Sequence, residues 1–146
     1  MNGVINVLKP PGITSHDVVD IVRRLTGVKK VGHTGTLDPG AAGILPLCVG
    51  RATRVARFFA ESNKSYRGEL ILGFATESQD IFSKINREVD ASGITKGDFM
   101  DKMGSFRGEI KQIPPMYSAV RVRGKRLYES AREGKTIKRE PRSAHI

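Results

Sequence analysis

The sequence predicts an α+β fold, and three observations carry that prediction. Short apolar runs of strand length recur at Val4–Leu8 and Ile44–Val49. A period-two alternation covers Tyr66–Phe74, and two helical stretches bring their own start signals. At 146 residues the chain suits one domain with a sizeable core. No repeat, low-complexity segment or internal domain boundary stands out.

Val4–Leu8 reads as a strand because four of its five residues are apolar and Lys9-Pro10-Pro11-Gly12 stops it with turn chemistry. Thr14 or Ser15 then caps a helix in which Val18, Val19, Val22 and Leu25 recur at helical spacing, with Gly27 at its end. A glycine-rich loop leads to the buried-strand candidate Ile44–Val49. Ala52–Ala60 reads as a second helix, with Val55, Phe58 and Phe59 inward and Arg51, Arg54 and Arg57 outward. Tyr66, Gly68, Leu70, Leu72 and Phe74 alternate with Arg67, Glu69, Ile71 and Gly73, the period of a strand. After a polar, irregular stretch over Ala75–Asp90, Thr95 and Asp98 make a capping box for a helix through Met103. Strands follow around Arg107–Gln112 and Tyr117–Val122, and Leu127–Arg132 reads as a helix with Gly134 just beyond it.

Charge narrows the partners. Lys and Arg outnumber Asp and Glu by 25 to 15, a net charge of +10. The excess concentrates between Val120 and Arg142, where nine basic residues, Arg121, Arg123, Lys125, Arg126 and Arg132 among them, face three acids. That is the footprint of a phosphate-backbone binder. An anionic membrane is the weaker alternative, because these charges alternate with turns and lack a long amphipathic helix. The one cysteine, Cys48, sits in an apolar run and reads as a small buried hydrophobe, so no disulfide forms within the chain. With no secretory leader pattern and no apolar run of membrane-spanning length, a soluble protein of the reducing cytoplasm is expected.

The densest chemical signal is Gly32-His33-Thr34-Gly35-Thr36-Leu37-Asp38-Pro39, which sets one acid in a loop of glycine, threonine and proline. Such a loop holds a carboxylate in place, as a nucleophile or general base must be held. An ordinary surface turn is the other reading, since Asp-Pro is common turn chemistry. The three histidines are scattered and no Cys/His cluster has metal-ligand spacing. Neither a phosphate-binding Gly-x-x-x-x-Gly-Lys loop, a dinucleotide glycine fingerprint nor a nucleophile elbow occurs.

Five ordered segments together resemble the bacterial TruB family of tRNA pseudouridine-55 synthases. They are Lys9–Ser15, Gly32–Pro39, Lys64-Ser65-Tyr66-Arg67, Gln112–Ala119 and Gly124-Lys125-Arg126-Leu127-Tyr128. The resemblance implies a pseudouridine-synthase-type fold, a mixed, largely antiparallel sheet flanked by helices. It implies isomerisation of uridine to pseudouridine in the TΨC loop of tRNA, with no metal and no organic cofactor. Asp38 falls on the family's nucleophile, Tyr66 on the tyrosine that packs on the target base, and His33 on the histidine that meets the flipped nucleotide. Lys9 and Pro10 fall in the motif that buttresses the catalytic loop. The basic stretch through Arg121, Arg123, Lys125, Arg126 and Arg132 falls on the arm that grips the T-arm. A tRNA partner and an intact monomer are expected, with no membrane.

Family members are longer. They carry a strand whose arginine pairs with the catalytic aspartate, further sheet strands and usually a small C-terminal RNA-binding PUA domain. The chain is therefore expected to be the N-terminal portion of the catalytic domain, its sheet incomplete. Two other functions stay open. One is a non-catalytic RNA-binding or tRNA-folding module on the same basic surface. The other, the guide-RNA-dependent relative of archaea and eukaryotes, is disfavoured because Gly43-Ile44-Leu45-Pro46 and Gln112-Ile113-Pro114 look bacterial in type.

Overall fold

The structure is a computed structural model that describes residues 1–60, 62–122 and 124–146. Its backbone falls into two compact units, Met1–Arg67 and Gly68–Ile146.

In the first unit, β1 (Gly3–Lys9), β2 (Val31–His33) and β3 (Gly43–Val49) form an antiparallel sheet in the order β1-β3-β2. The register runs from Gly3 opposite Val49 to Lys9 opposite Gly43, and from Val31 opposite Val49 to His33 opposite Leu47. Alternation along β3 sends Leu45, Leu47 and Val49 to one side. There they cluster with Val31 and with Val18, Val19 and Val22 of helix α1 (Ser15–Thr26). Ile5, Val7, Ile13, Val28 and Leu37 close the rim of this core. Cys48, on the central strand, is fully buried as the sequence leads one to expect.

Helix α1 starts where its caps dictate. The Thr14 hydroxyl accepts the Asp17 N–H, and the Asp17 carboxylate accepts the Thr14 N–H at 2.7 Å. It ends where Gly27 turns left-handed (φ 67°) and its N–H meets the Arg23 carbonyl. Leu25 lies off the buried face and is exposed. The expected helix over Ala52–Ala60 divides into a 3-10 turn (Gly50–Val55) and a short helix α2 (Ala56–Ala60). Val55, Phe58 and Phe59 are exposed, because neither piece is long enough to present one continuous apolar face.

The second unit holds small antiparallel pairs and two helices. β4 (Phe74–Thr76) pairs with β5 (Ile85–Glu88), so the stretch expected to be irregular over Ala75–Asp90 holds a hairpin, whose short strands carry no alternation to announce it. β6 (Glu109–Gln112) pairs with the distant β9 (Arg142–His145), and β7 (Arg121–Val122) with β8 (Lys125–Arg126). Helix α3 (Lys96–Gly104) has the expected Thr95–Asp98 capping box, and helix α4 spans Leu127–Arg132 with Leu127 and Ser130 buried.

Two expected strands form only at their last residues. The alternating run Tyr66–Phe74 is irregular; only its last residue enters β4. Strand geometry needs a neighbour to take its backbone groups, and among the described residues no strand pairs with Tyr66–Leu72, whose Leu70 and Leu72 are exposed. The Gly73 carbonyl accepts the Val89 N–H at 2.8 Å. The run Tyr117–Val122 is strand only at Arg121–Val122, because the Ser118 and Val120 carbonyls instead accept the Tyr128 and Leu127 amides that open α4. Among the described residues the expected mixed sheet is thus not seen as such: one three-stranded sheet and three two-stranded pairs form, all antiparallel.

Candidate active site

Asp38 lies in the loop between β2 and β3, exposed to solvent. Its neighbours are tied down on both sides. Before it, the Ser15 hydroxyl accepts the Leu37 N–H at 2.9 Å and donates to the Leu37 carbonyl at 3.0 Å. After it, the Pro39 carbonyl accepts the Gly12 N–H at 2.8 Å and Lys9 Nζ at 3.3 Å. The Asp38 carbonyl itself takes the Ala41 N–H at 3.0 Å. Gly12 is needed for this approach, since its φ of 91° lies where other residues are strained.

Lys9 is 0% exposed, an unusual place for an amine. Its Nζ also donates to the Pro10 and Ile13 carbonyls, at 2.9 and 2.7 Å, so all three of its N–H groups are used. β1 thus delivers a buried cation that joins the Pro10–Ile13 turn to the Asp38 loop. The structure brings Lys9, Pro10 and the Asp38 loop together.

His33 ends β2, half-buried, with Nδ1 enclosed and without a hydrogen-bond partner among the described residues. The next amide, Thr34 N–H, bonds the Pro46 carbonyl at 3.1 Å and keeps the loop on the sheet. Tyr66 is 80% exposed in irregular chain, with no hydrogen bond or ring contact among the described residues. No hydrogen bond among those residues links His33, Asp38 and Tyr66. The rigid loop and its exposed carboxylate can attack or deprotonate a bound group. Among the described residues no cluster of His, Cys, Asp and Glu could hold a metal ion.

In the second unit the basic segment is built on the β7–β8 hairpin and α4. Arg121 stands opposite Arg126 in the register, both exposed. Arg126 donates to the Tyr128 hydroxyl at 3.0 Å, a bond that raises its pKa, and lies 5.8 Å from that ring's centre. Arg132 approaches the same ring at 5.4 Å. Lys125 is instead paired with Glu133, which also takes Lys135 at 3.0 Å. Those two hydrogen bonds hold the Glu133 carboxyl below the ordinary glutamate range. Arg123 lies outside the described residues.

Sequence reasoning assigned Ser15 only a place at the helix start and assigned Tyr128 no role. The position of Ser15 directly after the N-cap, inside Lys9–Ser15, was the available signal for the first. The spacing of Tyr128 from Arg126 and Arg132 was the signal for the second.

The chain matches known proteins throughout its length. The sequence model of the TruB family pseudouridylate synthase (N terminal domain) matches residues 23–146. A tRNA pseudouridine synthase B from Symbiobacterium thermophilum is 59% identical over 146 residues, covering 100% of this chain and 49% of the relative. One from Pelotomaculum thermopropionicum is 53% identical, covering 100% of this chain and 46% of the relative. The chain thus spans about half the length of the curated relatives it matches. Among solved structures, the crystal structure of a Cbf5-Nop10-Gar1 complex superposes with a TM-score of 0.54 at 33% identity, covering 83% of this chain and 31% of that one. With the family model matching most of its residues, this chain belongs to the TruB family of pseudouridylate synthases.

Proposed function

We propose that this chain is the N-terminal part of the catalytic domain of a tRNA pseudouridine synthase, an isomerase that converts uridine to pseudouridine at position 55 in the TΨC loop. The observation that carries the reading is Asp38, an exposed carboxylate whose flanking Leu37 and Pro39 are both fastened to the Lys9–Ser15 segment. A module that only bound RNA would have no use for an acid in a rigid loop facing an anionic ligand, where it repels phosphate.

The chemistry follows from the substrate. A uracil inside a folded loop is out of reach, so it is flipped out before reaction. Asp38 attacks the target nucleotide as the N1–C1′ bond breaks. The freed uracil turns, C5 bonds to C1′ with release of the Asp38 carboxylate, C5 gives up its proton to solvent and N1 takes one up, so the product is an isomer of the substrate. Tyr66 offers the flipped base an aromatic face, and its exposure leaves that face free. His33 meets the flipped nucleotide, while Lys9 and Pro10 keep the loop in place. Arg121, Arg123, Lys125, Arg126 and Arg132 grip the phosphates of the T-arm, and the intact enzyme works as a monomer. The arginine that would face Asp38 belongs, on this reading, to the remaining strands of the catalytic sheet.

The test uses the complete enzyme that carries this segment and tRNA tritiated at uridine C5. Asp38→Asn and Asp38→Ala are expected to bind tRNA near the wild-type level and release no tritium. Near-normal release by Asp38→Ala would overturn the assignment. Equal binding with no release by any form, wild type included, would favour the tRNA-folding module.

A further inference from the structure

Asp38 sits within four consecutive peptide groups, each held by a hydrogen bond. The Leu37 N–H and the Leu37 carbonyl belong to the two groups before it, and both bond the Ser15 hydroxyl. The Asp38 and Pro39 carbonyls belong to the two groups after it, bonded by Ala41 and by Gly12 with Lys9. A peptide group is planar, so fixing the planes on either side of Asp38 fixes its φ and ψ. Only the side-chain torsions of the carboxylate stay free.

Ser15 alone holds two of those four planes. A hydroxyl has one donor and accepting lone pairs, so one oxygen serves both the N–H and the carbonyl of Leu37. Ser15 is 3% exposed in the first turn of α1, and the Leu37 side chain packs at the rim of the same core. The core of the sheet is thereby transmitted through one buried oxygen to the backbone of the reacting acid. Buried there, Ser15 has no surface to offer RNA.

We propose that Ser15 is a positioning residue for the Asp38 carboxylate, setting its direction of attack through Leu37 while taking no part in tRNA binding. This rests on the reading of Asp38 as the nucleophile. Without the hydroxyl the two groups preceding Asp38 are released and its Cα–Cβ direction wanders, and a misplacement near 1 Å costs up to about a hundredfold in rate.

The experiment compares Ser15→Ala with Val19→Ala in the complete enzyme, by tritium release across tRNA concentrations. Val19 is 1% exposed in the same helix and core, so its truncation removes stability through that core. Ser15→Ala is expected to lose kcat by about tenfold to a hundredfold at unchanged KM and tRNA affinity. Val19→Ala is expected to keep kcat at temperatures where both variants are folded. A Ser15→Ala kcat within about twofold of wild type overturns the proposal, since no transition-state interaction is then missing. An equal kcat loss in Val19→Ala overturns it too, because the loss then follows core stability. Wild-type enzyme that releases no tritium overturns the synthase reading itself, which separates that failure from the failure of Ser15 alone.

Discussion

At Lys9 three backbone carbonyls converge on one buried amine, which joins the Pro10–Ile13 turn to the Asp38 loop. Removing the amine takes a donor from each of the three carbonyls, of which the Pro39 carbonyl keeps the Gly12 N–H. Lys9→Met keeps the stem's packing and deletes only the donors, so it isolates that contribution. It is expected to lower stability by about 3 kcal/mol in urea unfolding. A Lys9→Met protein as stable as wild type would mean the Nζ bonds give no net stabilisation. The rigidity around Asp38 was legible in the sequence, because glycine, proline and threonine state their backbone preferences locally. Its anchorage by Ser15 was not. That hydrogen bond spans 22 residues and arises only when α1 docks on the sheet.

Among the elements, both capped helices depend on an aspartate that must stay ionised. Hydrogen bonds from the Thr14 hydroxyl and amide hold Asp17 below the ordinary aspartate range, and Thr95 does the same for Asp98. A depressed carboxylate stabilises the fold above its unfolded pKa, and that contribution is lost as pH falls through the folded value. Thermal melts between pH 6 and pH 2 are expected to decline below about pH 4, where free aspartate titrates. Thr14→Ala is expected to flatten the part that comes from α1. A second expectation concerns the turn after β3. Gly50 has φ 62°, and a Cβ there would run into the Asn2 side chain and the Met1 carbonyl. Gly50→Ala is therefore expected to destabilise by about 1–3 kcal/mol, read by urea unfolding, whereas a neutral result would mean the chain start moves aside freely. The helices were legible because their caps lie within four residues of their ends. Tyr66–Phe74 and Tyr117–Val122 were not, because alternation says which face is apolar and nothing about which strand will pair.

For the whole molecule, the +10 charge governs association with anions, and the pairing of individual cations decides which of them contribute. Lys125 is already engaged by Glu133, whereas Arg126 and Arg132 share the uncharged Tyr128 ring and form no salt bridge among the described residues. Arg126→Ala with Arg132→Ala is expected to reduce the log–log salt slope of tRNA binding by roughly 0.7 to 0.9 for each phosphate left unneutralised. Lys125→Ala is expected to change it less. Equal slopes for all three would show the segment to be a solvated basic face. The second unit also leaves Leu70, Ile81, Phe82 and Ile113 exposed. Residues 1–146 expressed alone are expected to self-associate with rising concentration in sedimentation, and a monomer at all concentrations would contradict this.

The burial of Cys48 gives the molecule a built-in clock. It is the only thiol, fully enclosed on the central strand between Val4 and Gly32 partners, and burial pushes its pKa up. A thiol reagent can reach it only when the packing around β3 opens. Its labelling rate, set against that of the unfolded chain, measures how often that packing opens. The second unit has no cysteine, so it stays silent in that measurement.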